Sequence, residues 1–256
     1  MTGDPRQADV EASQALLDQV ERDGAVQLPA LSTAELYVLG AMQATLVDED
    51  ARSWWSGMLE AERSGLSAMA LKFLIHRGLL DEPEADAAGS PLAENVDLPV
   101  RPLLAMILAG RGRPAFIVLR REGPKGEPER MRLYGIAEEG RGLRALLAEV
   151  PTGNHVSRFG PAYEYALVSP EEAVSSLLRW VDRAPARKLG RRLPKVIDVY
   201  QPDKGSGPAR DRIEVRVGSS GLRVEHEGVG TAPTTTDSDD QALSRLLTDL
   251  FAGRTA

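Results

Sequence analysis

The 256-residue chain has 31 Lys and Arg against 38 Asp and Glu, a net charge of -7, and no cysteine. The missing cysteines exclude disulfides, thiolate catalysis and Cys-ligated zinc. The acidic balance argues against broad nucleic-acid binding, which needs a basic surface to neutralise phosphates. The N-terminus lacks a signal-peptide pattern, and the longest apolar run, residues 103–109, is far shorter than the roughly 20 residues that span a bilayer. We therefore expect a cytoplasmic protein with no membrane segment.

Helical patterns dominate the first 110 residues. Apolar spacing predicts helices over residues 9–20, from Ser32, from Asp50 or Ser53, from residue 66 to 77, and over 100–108. Ser32 and Glu35 have the spacing of a capping box, in which each side chain bonds the other residue's backbone N–H. Gly78 stands where a helix commonly ends in a left-handed residue.

Strand patterns begin after residue 110. They predict a hairpin from runs 115–121 and 130–136, a strand at 163–168, a strand at 195–200, and a second hairpin from 212–217 and 222–227. Helices are predicted at 141–150, after Ser169-Pro170, and at 239–251, with a loop at 228–237. The expected fold class is α+β with an antiparallel sheet. We expect a mainly helical region, 1–110, packed as one globular unit with a sheet-plus-helix region, 111–256.

Two helical segments resemble each other. Residues 169–178 and 238–247 share Ser, Ala, Ser, Leu and Leu at equivalent positions, and each begins with a capping-box pattern. One explanation is a duplicated strand-to-helix half, which would give a quasi-two-fold domain. The other is that capped amphipathic helices in an Ala- and Leu-rich protein look alike.

No motif for catalysis, a cofactor or a metal is evident. His76, His155 and His226 are far apart, and none has a partner at metal-ligand spacing. We interpret His76 as a cation at a helix end and His226 as a residue on a solvated strand face. The glycine-rich run at 205–208 lacks the following helix that phosphate binding requires. We expect neither metal nor cofactor, and no enzymatic activity.

A nucleic-acid-binding hypothesis rests on two features. Residues 31–80 have the helix order of a winged-helix domain, but the candidate recognition helix offers few polar and basic side chains, and acidic residues lie near. Residues 111–114, Arg-Gly-Arg-Pro, match the core of an AT-hook, although a helix-to-strand turn explains them better. A winged-helix regulator with a C-terminal sensing domain is therefore the alternative function, and nucleic acid is not the favoured partner.

Trp54 and Trp55 are the candidate partner-binding residues. Neighbours on a helix point about 100° apart, so one ring can enter the core while the other stays near the surface. Exposed tryptophans are enriched at interaction hot spots. The competing interpretation is that both rings fill a junction between helices inside the fold.

The order of elements in residues 31–181 resembles the EspG family of type VII (ESX) secretion-associated proteins. The resemblance rests on the helix at 33–45, the run 70–80 (ALKFLIHRGLL), residues 96–108 leading through 110–114 into two strands, a leucine-rich helix before Val150-Pro151, and a strand leading to 171–181. The basic linker 187–195 and the loop 228–238 do not match the pattern. The Ala-, Gly-, Arg- and Pro-rich composition agrees with an actinobacterial source.

The resemblance implies a central antiparallel sheet with helical bundles in a quasi-two-fold arrangement. It also implies a cytosolic chaperone that shields a helical secretion substrate of the PE–PPE type. The hypothesis is therefore a non-enzymatic protein that binds another protein, as a chaperone or adaptor in type VII secretion. The sequence leaves its oligomeric state open.

Overall fold

The computed structural model describes residues 5–40, 49–81, 100–111, 116–122, 128–138, 142–152, 158–182, 195–201, 209–218, 221–227 and 232–251. The helices within these ranges are α1 (Pro5–Asp23), α2 (Thr33–Val38), α3 (Glu49–Ser56), α4 (Glu60–His76), α5 (Pro102–Arg111), α6 (Pro170–Asp182) and α7 (Asp240–Phe251). The strands are β1 (Ala25–Ser32), β2 (Phe116–Glu122), β3 (Pro128–Glu138), β4 (Gly142–Pro151), β5 (Ala162–Val168), β6 (Lys195–Gln201), β7 (Ala209–Gly218), β8 (Gly221–Glu227) and β9 (Thr234–Ser238).

The strands form one antiparallel sheet in the order β1-β5-β4-β3-β2-β6-β7-β8-β9. This confirms the α+β class and both predicted hairpins, β2–β3 and β7–β8. The order from β5 to β9 is symmetric about the antiparallel pair β2–β6. On one side the chain runs through four strands into α6, and on the other through four strands into α7. The two similar sequence segments thus occupy equivalent places in a quasi-two-fold arrangement of strands.

The chain forms two compact units. The first comprises Met1–Leu16, Gln27–Gly112 and Pro151–Tyr165, and the second comprises Leu17–Val26, Arg113–Val150 and Ala166–Ala256. The division at residue 110 that the sequence suggests stays a prediction.

The second unit is built around one face of its strands. Alternate strand residues such as Leu119, Ile197 and Ile213 are buried there, and Leu177 of α6 and Leu243 of α7 belong to the same core. A strand with one buried face shows this alternation because successive side chains point to opposite sides. Both helices are strongly amphipathic, which suits them to cover a sheet.

Side chains cap both of these helices at their N-termini. The Ser169 hydroxyl accepts a bond of 3.1 Å from the Glu172 backbone N–H, as predicted. In α7 the carboxylate of Asp239 accepts from the Ala242 N–H at 2.7 Å, so this side chain caps the helix. Asp239 can do so because Ser238 still belongs to β9.

The predicted helix at 141–150 is wrong, since residues 142–150 belong to β4. Leu146 faces the core of the second unit, while the next residue, Leu147, and Glu149 on the same face as Leu147 are also fully buried. A central strand buried on both faces loses the apolar–polar alternation that marks a strand in sequence. Leu, Ala, Arg and Glu then favour a helix by intrinsic propensity, which strand pairing overrides.

Two edge strands also depart from the sequence-based prediction. Residues 234–238, assigned to a loop, form β9, and residues 25–32, for which no element was predicted, form β1. Both lie at the ends of the sheet. Proline has no backbone N–H to donate, and Pro29 is tolerated within β1 because an edge strand pairs with a neighbour on one side only.

Candidate functional site

The start of α2 is fixed by a short segment that precedes β5. The backbone N–H groups of Thr33 and Ala34 donate to the carbonyls of Pro161 and Phe159 at 2.8 and 3.1 Å. The first N–H groups of any helix lack partners within it, so the 158–161 segment satisfies two of them. The predicted capping box is present as well, with the Ser32 N–H 2.7 Å from the Glu35 carboxylate. This arrangement holds Phe159 beside α2.

Arg77 ties the end of α4 to the same place. Its guanidinium contacts the Glu35 carboxylate at 2.9 Å and the Ala30 carbonyl at 2.7 Å. Gly78 follows with a φ of +66°, which is the left-handed helix end that the sequence predicted. Arg77 is therefore engaged within the fold, which weakens the winged-helix hypothesis because that helix needs its cations for phosphates.

Five aromatic side chains, out of 3 Trp, 5 Tyr and 4 Phe in the chain, gather on the first unit. We call this set the aromatic surface, and its members are Tyr37, Trp54, Trp55, Phe73 and Phe159. Trp55 stacks on Tyr37 with ring centroids 4.2 Å apart and planes 10° apart. Phe73 and Phe159 meet edge to face at 5.3 Å. All five side chains are partly or largely exposed, and Phe73 has 42% of its surface accessible.

Trp54 joins the two aromatic pairs. Its ring lies 6.1 Å from that of Trp55 and directly against the backbone of Gly160, where a Cβ atom would stand 2.7 Å from the ring. Gly160 also has a φ of +81°, a conformation that glycine adopts without steric cost. Because Gly160 directly follows Phe159 in the chain, this contact links the two tryptophans to the segment that carries Phe159.

The structure gives both predicted tryptophans an intermediate position. Trp54 and Trp55 are half-buried, and the roughly 100° between neighbouring helix positions directs one ring to Gly160 and the other to Tyr37. Their role in partner binding stays a prediction. The sequence did not point to Tyr37, Phe73 or Phe159. A sequence signal exists only for Phe73, because α4 has apolar residues on several sides and a helix can bury only part of its surface. In the structure, Ala70 and Leu74 of α4 are buried and Phe73 is not.

Basic side chains lie beside the aromatic surface. The Arg158 guanidinium lies 5.1 Å from the centroid of the Phe159 ring, at a distance typical of a cation–π contact. Burial raises the pKa of the Tyr37 hydroxyl, and the nearby charge of Arg52 partly offsets that rise. Lys72 and His76 are exposed on α4 to either side of Phe73.

The other candidate residues are placed as follows. Arg111 is buried at the end of α5, with its guanidinium 3.0 Å from the Tyr165 hydroxyl, so it is engaged within the fold, whereas residues 112–114 of the Arg-Gly-Arg-Pro run lie outside the described residues. His76 is exposed at the end of α4, as expected. His226 is half-buried on the same strand face as Val224, so its assignment to a solvated face is wrong. His155 and the run 205–208 lie outside the described residues.

Among the residues that the structure describes, no group of His, Asp and Glu could hold a metal ion. Arg216, Arg223, Glu225 and Thr235 line a depression on strands β7 to β9. Within the same described ranges, every helix is too short or too polar to cross a membrane.

No protein-family model matches the chain, and a search of curated proteins finds no match. Among solved structures, the chain is similar to the Mycobacterium tuberculosis type VII secretion system chaperone EspG5, solved in complex with the PE25–PPE41 dimer. The alignment has 9% identity and a TM-score of 0.46, and it covers 88% of this chain and 95% of that one. Similarity at this level establishes neither common ancestry nor function.

Proposed function

We propose that this chain is a non-enzymatic protein-binding protein and that the aromatic surface of its first unit contacts the partner. Within that role, we assign it to the cytoplasm as a chaperone or adaptor for a helical substrate of type VII secretion. The observation that carries the binding role is the clustering of five partly exposed aromatic rings.

The rings suit protein binding because of their chemistry and rigidity. Tryptophan, tyrosine and phenylalanine are enriched in protein interfaces, and tryptophan and tyrosine carry a large share of hot-spot energy. Here Trp54 is held against Gly160 and Trp55 against Tyr37, so neither ring has to be ordered when a partner arrives. Binding groups that are already ordered lose less entropy on association.

The secretion role rests on the EspG-like order of elements in the sequence. A chaperone of this kind needs a surface for an apolar helix and no catalytic group, and the aromatic surface fulfils the first requirement. The chaperone named in the similar solved structure binds a PE–PPE dimer. We propose that this chain likewise binds a helical substrate of type VII secretion.

Photo-crosslinking in the cells that encode the protein tests this function. A benzophenone amino acid replaces Phe73 in one variant and Val10 in another, since Val10 is also an exposed apolar residue of the first unit, at 68% accessibility. We expect one dominant protein adduct from the Phe73 position and none from the Val10 position, and mass spectrometry to identify a helical type VII substrate. Equal adducts at both positions would contradict the assigned surface. A single adduct with an unrelated protein would retain binding and reject the secretion role.

A further inference from the structure

Resting on the proposed function, we propose that the aromatic surface selects an acidic, amphipathic helix of its partner. Apolar side chains of that helix pack on Phe73 and Phe159, and its carboxylates pair with Arg158 and Arg52. This names the chemistry of the partner, which the binding proposal alone leaves open.

The first argument is local charge. The chain as a whole has a net charge of -7, yet the exposed charged side chains beside the aromatic surface include Arg52, Lys72 and Arg158. The exposed carboxylates of Glu60 and Glu62 lie at the opposite end of α4 from Phe73. The buried Glu35 carboxylate is already paired with a guanidinium. Charges at the rim of an interface steer association and disfavour partners of like charge. A basic rim on an acidic protein therefore favours an acidic partner.

The second argument is the shape of α4. Leu66, Met69 and Phe73 follow one another at spacings of three and four residues, so they form a stripe along one side of the helix. Leu66 and Met69 are half-buried and Phe73 is exposed, whereas Ala70 and Leu74 face the core. From Leu66 to Phe73 the stripe spans two turns of α4, about 10 Å at 1.5 Å per residue. A partly exposed apolar stripe of this length matches the apolar face of a second helix.

Aromatic and basic side chains together also occur in proteins that bind single-stranded nucleic acid, where bases stack on free ring faces. Here one face of Trp55 is covered by Tyr37, the Trp54 ring lies on Gly160, and Arg158 stands over Phe159. Each of these contacts occupies one face of a ring, which leaves fewer faces for bases to stack on, while the Phe73 side chain stays exposed. That geometry favours aliphatic side chains of a helix over stacked bases.

Fluorescence anisotropy with three labelled probes tests the proposal on the full chain. The probes are a synthetic amphipathic helix with a Leu face and a Glu face, the same peptide with Lys in place of Glu, and an oligo-dT strand. We expect the Glu peptide to bind at least about tenfold more tightly than the other two, and binding to weaken with added salt because charge pairs are screened. Equal affinity for the two peptides, or preferential binding of oligo-dT, would overturn the inference.

Matched variants locate the binding site. Arg158→Glu and Phe73→Ala should each weaken the Glu peptide about tenfold, the scale of a single hot-spot residue. Arg223→Glu makes the same charge reversal at an exposed strand position of the second unit and should leave affinity unchanged. Circular dichroism verifies that each variant folds. Equal losses for Arg158→Glu and Arg223→Glu would show that total charge, and not this surface, attracts the peptide.

The two proposals fail in different ways. A protein adduct at position 73 without preference for the Glu peptide rejects the acidic helix and keeps the binding function. Absence of any adduct at position 73 together with tight, Arg158-dependent binding of the Glu peptide supports the acidic-helix chemistry and rejects the assigned cellular partner.

Discussion

Replacing Gly160 by alanine tests how the aromatic surface is built. The φ of +81° at this position costs an L-residue about 1–2 kcal/mol. The new Cβ would stand 2.7 to 2.9 Å from three atoms of the Trp54 ring, so the ring has to move. Forcing extra volume into a packed contact costs about 1–3 kcal/mol. We expect a total loss of about 2–5 kcal/mol in the free energy of unfolding.

Gly78→Ala separates the two contributions. Gly78 also has a positive φ, +66°, but no atom lies within 4 Å of the added Cβ. Gly78→Ala should therefore lose only the backbone contribution to the free energy of unfolding, about 1–2 kcal/mol. Both glycines belong to the first unit, so urea unfolding followed by circular dichroism compares them in the same transition.

A double substitution completes the test. In a Trp54→Ala background the clash is absent, so Gly160→Ala should lower the free energy of unfolding no more than Gly78→Ala does. The difference between the cost of Gly160→Ala in the two backgrounds measures the coupling between the Trp54 ring and Gly160. If Gly160→Ala costs the same as Gly78→Ala in the wild-type background, Trp54 does not rest on Gly160. The inferred link between the tryptophans and the segment that carries Phe159 would then be wrong.

Three further predictions concern the supports of the fold and of the surface. Arg77→Met removes a partner of the buried Glu35 carboxylate and should lower the free energy of unfolding by about 1–3 kcal/mol. The control Arg179→Met breaks an exposed ion pair with Glu172 and should lower it by less than about 1 kcal/mol. Equal urea midpoints for the two variants would contradict this prediction. Ser169→Ala and Asp239→Ala each remove a helix cap and should each cost about 1 kcal/mol in the same assay, an effect absent from Ser64→Ala within α4. Burial raises the pKa of Tyr37 while Arg52 lowers it, so Arg52→Gln should move the phenolate absorbance of Tyr37 to higher pH, and a move to lower pH would refute the assigned cause. Because the pKa of Tyr37 is higher in the folded than in the unfolded chain, its contribution to stability is lost as the pH rises past the ordinary value of 10.0.

The correct sequence predictions depend on interactions between residues close in the chain. The Ser32–Glu35 capping box, the left-handed Gly78 and the Ser169 cap each involve groups within three or four residues. The hairpins β2–β3 and β7–β8 likewise join neighbouring runs across short turns. Such signals survive in a single sequence because the residues that cause them stand side by side.

The wrong predictions share the opposite property. Residues 142–151 become a strand because neighbours on both sides pair with them, and β9 exists because β8 supplies its hydrogen-bond partners. The symmetric strand order about β2–β6 was open in sequence, since the two halves share little beyond their closing helices. Strand pairing between distant segments can override local propensity, and local patterns do not report it.

The sequence by itself determined the α+β class, most helices and hairpins, and the two adjacent tryptophans as candidates for binding. Only the tertiary structure decided which rings join them, because Phe159 and Gly160 reach α2 and α3 from more than 100 positions away in the chain. The contact between Gly160 and Trp54 depends on a close approach of backbone to ring that no local pattern encodes. A binding surface of this kind is a property of packed elements, so its members become visible only when those elements are placed together.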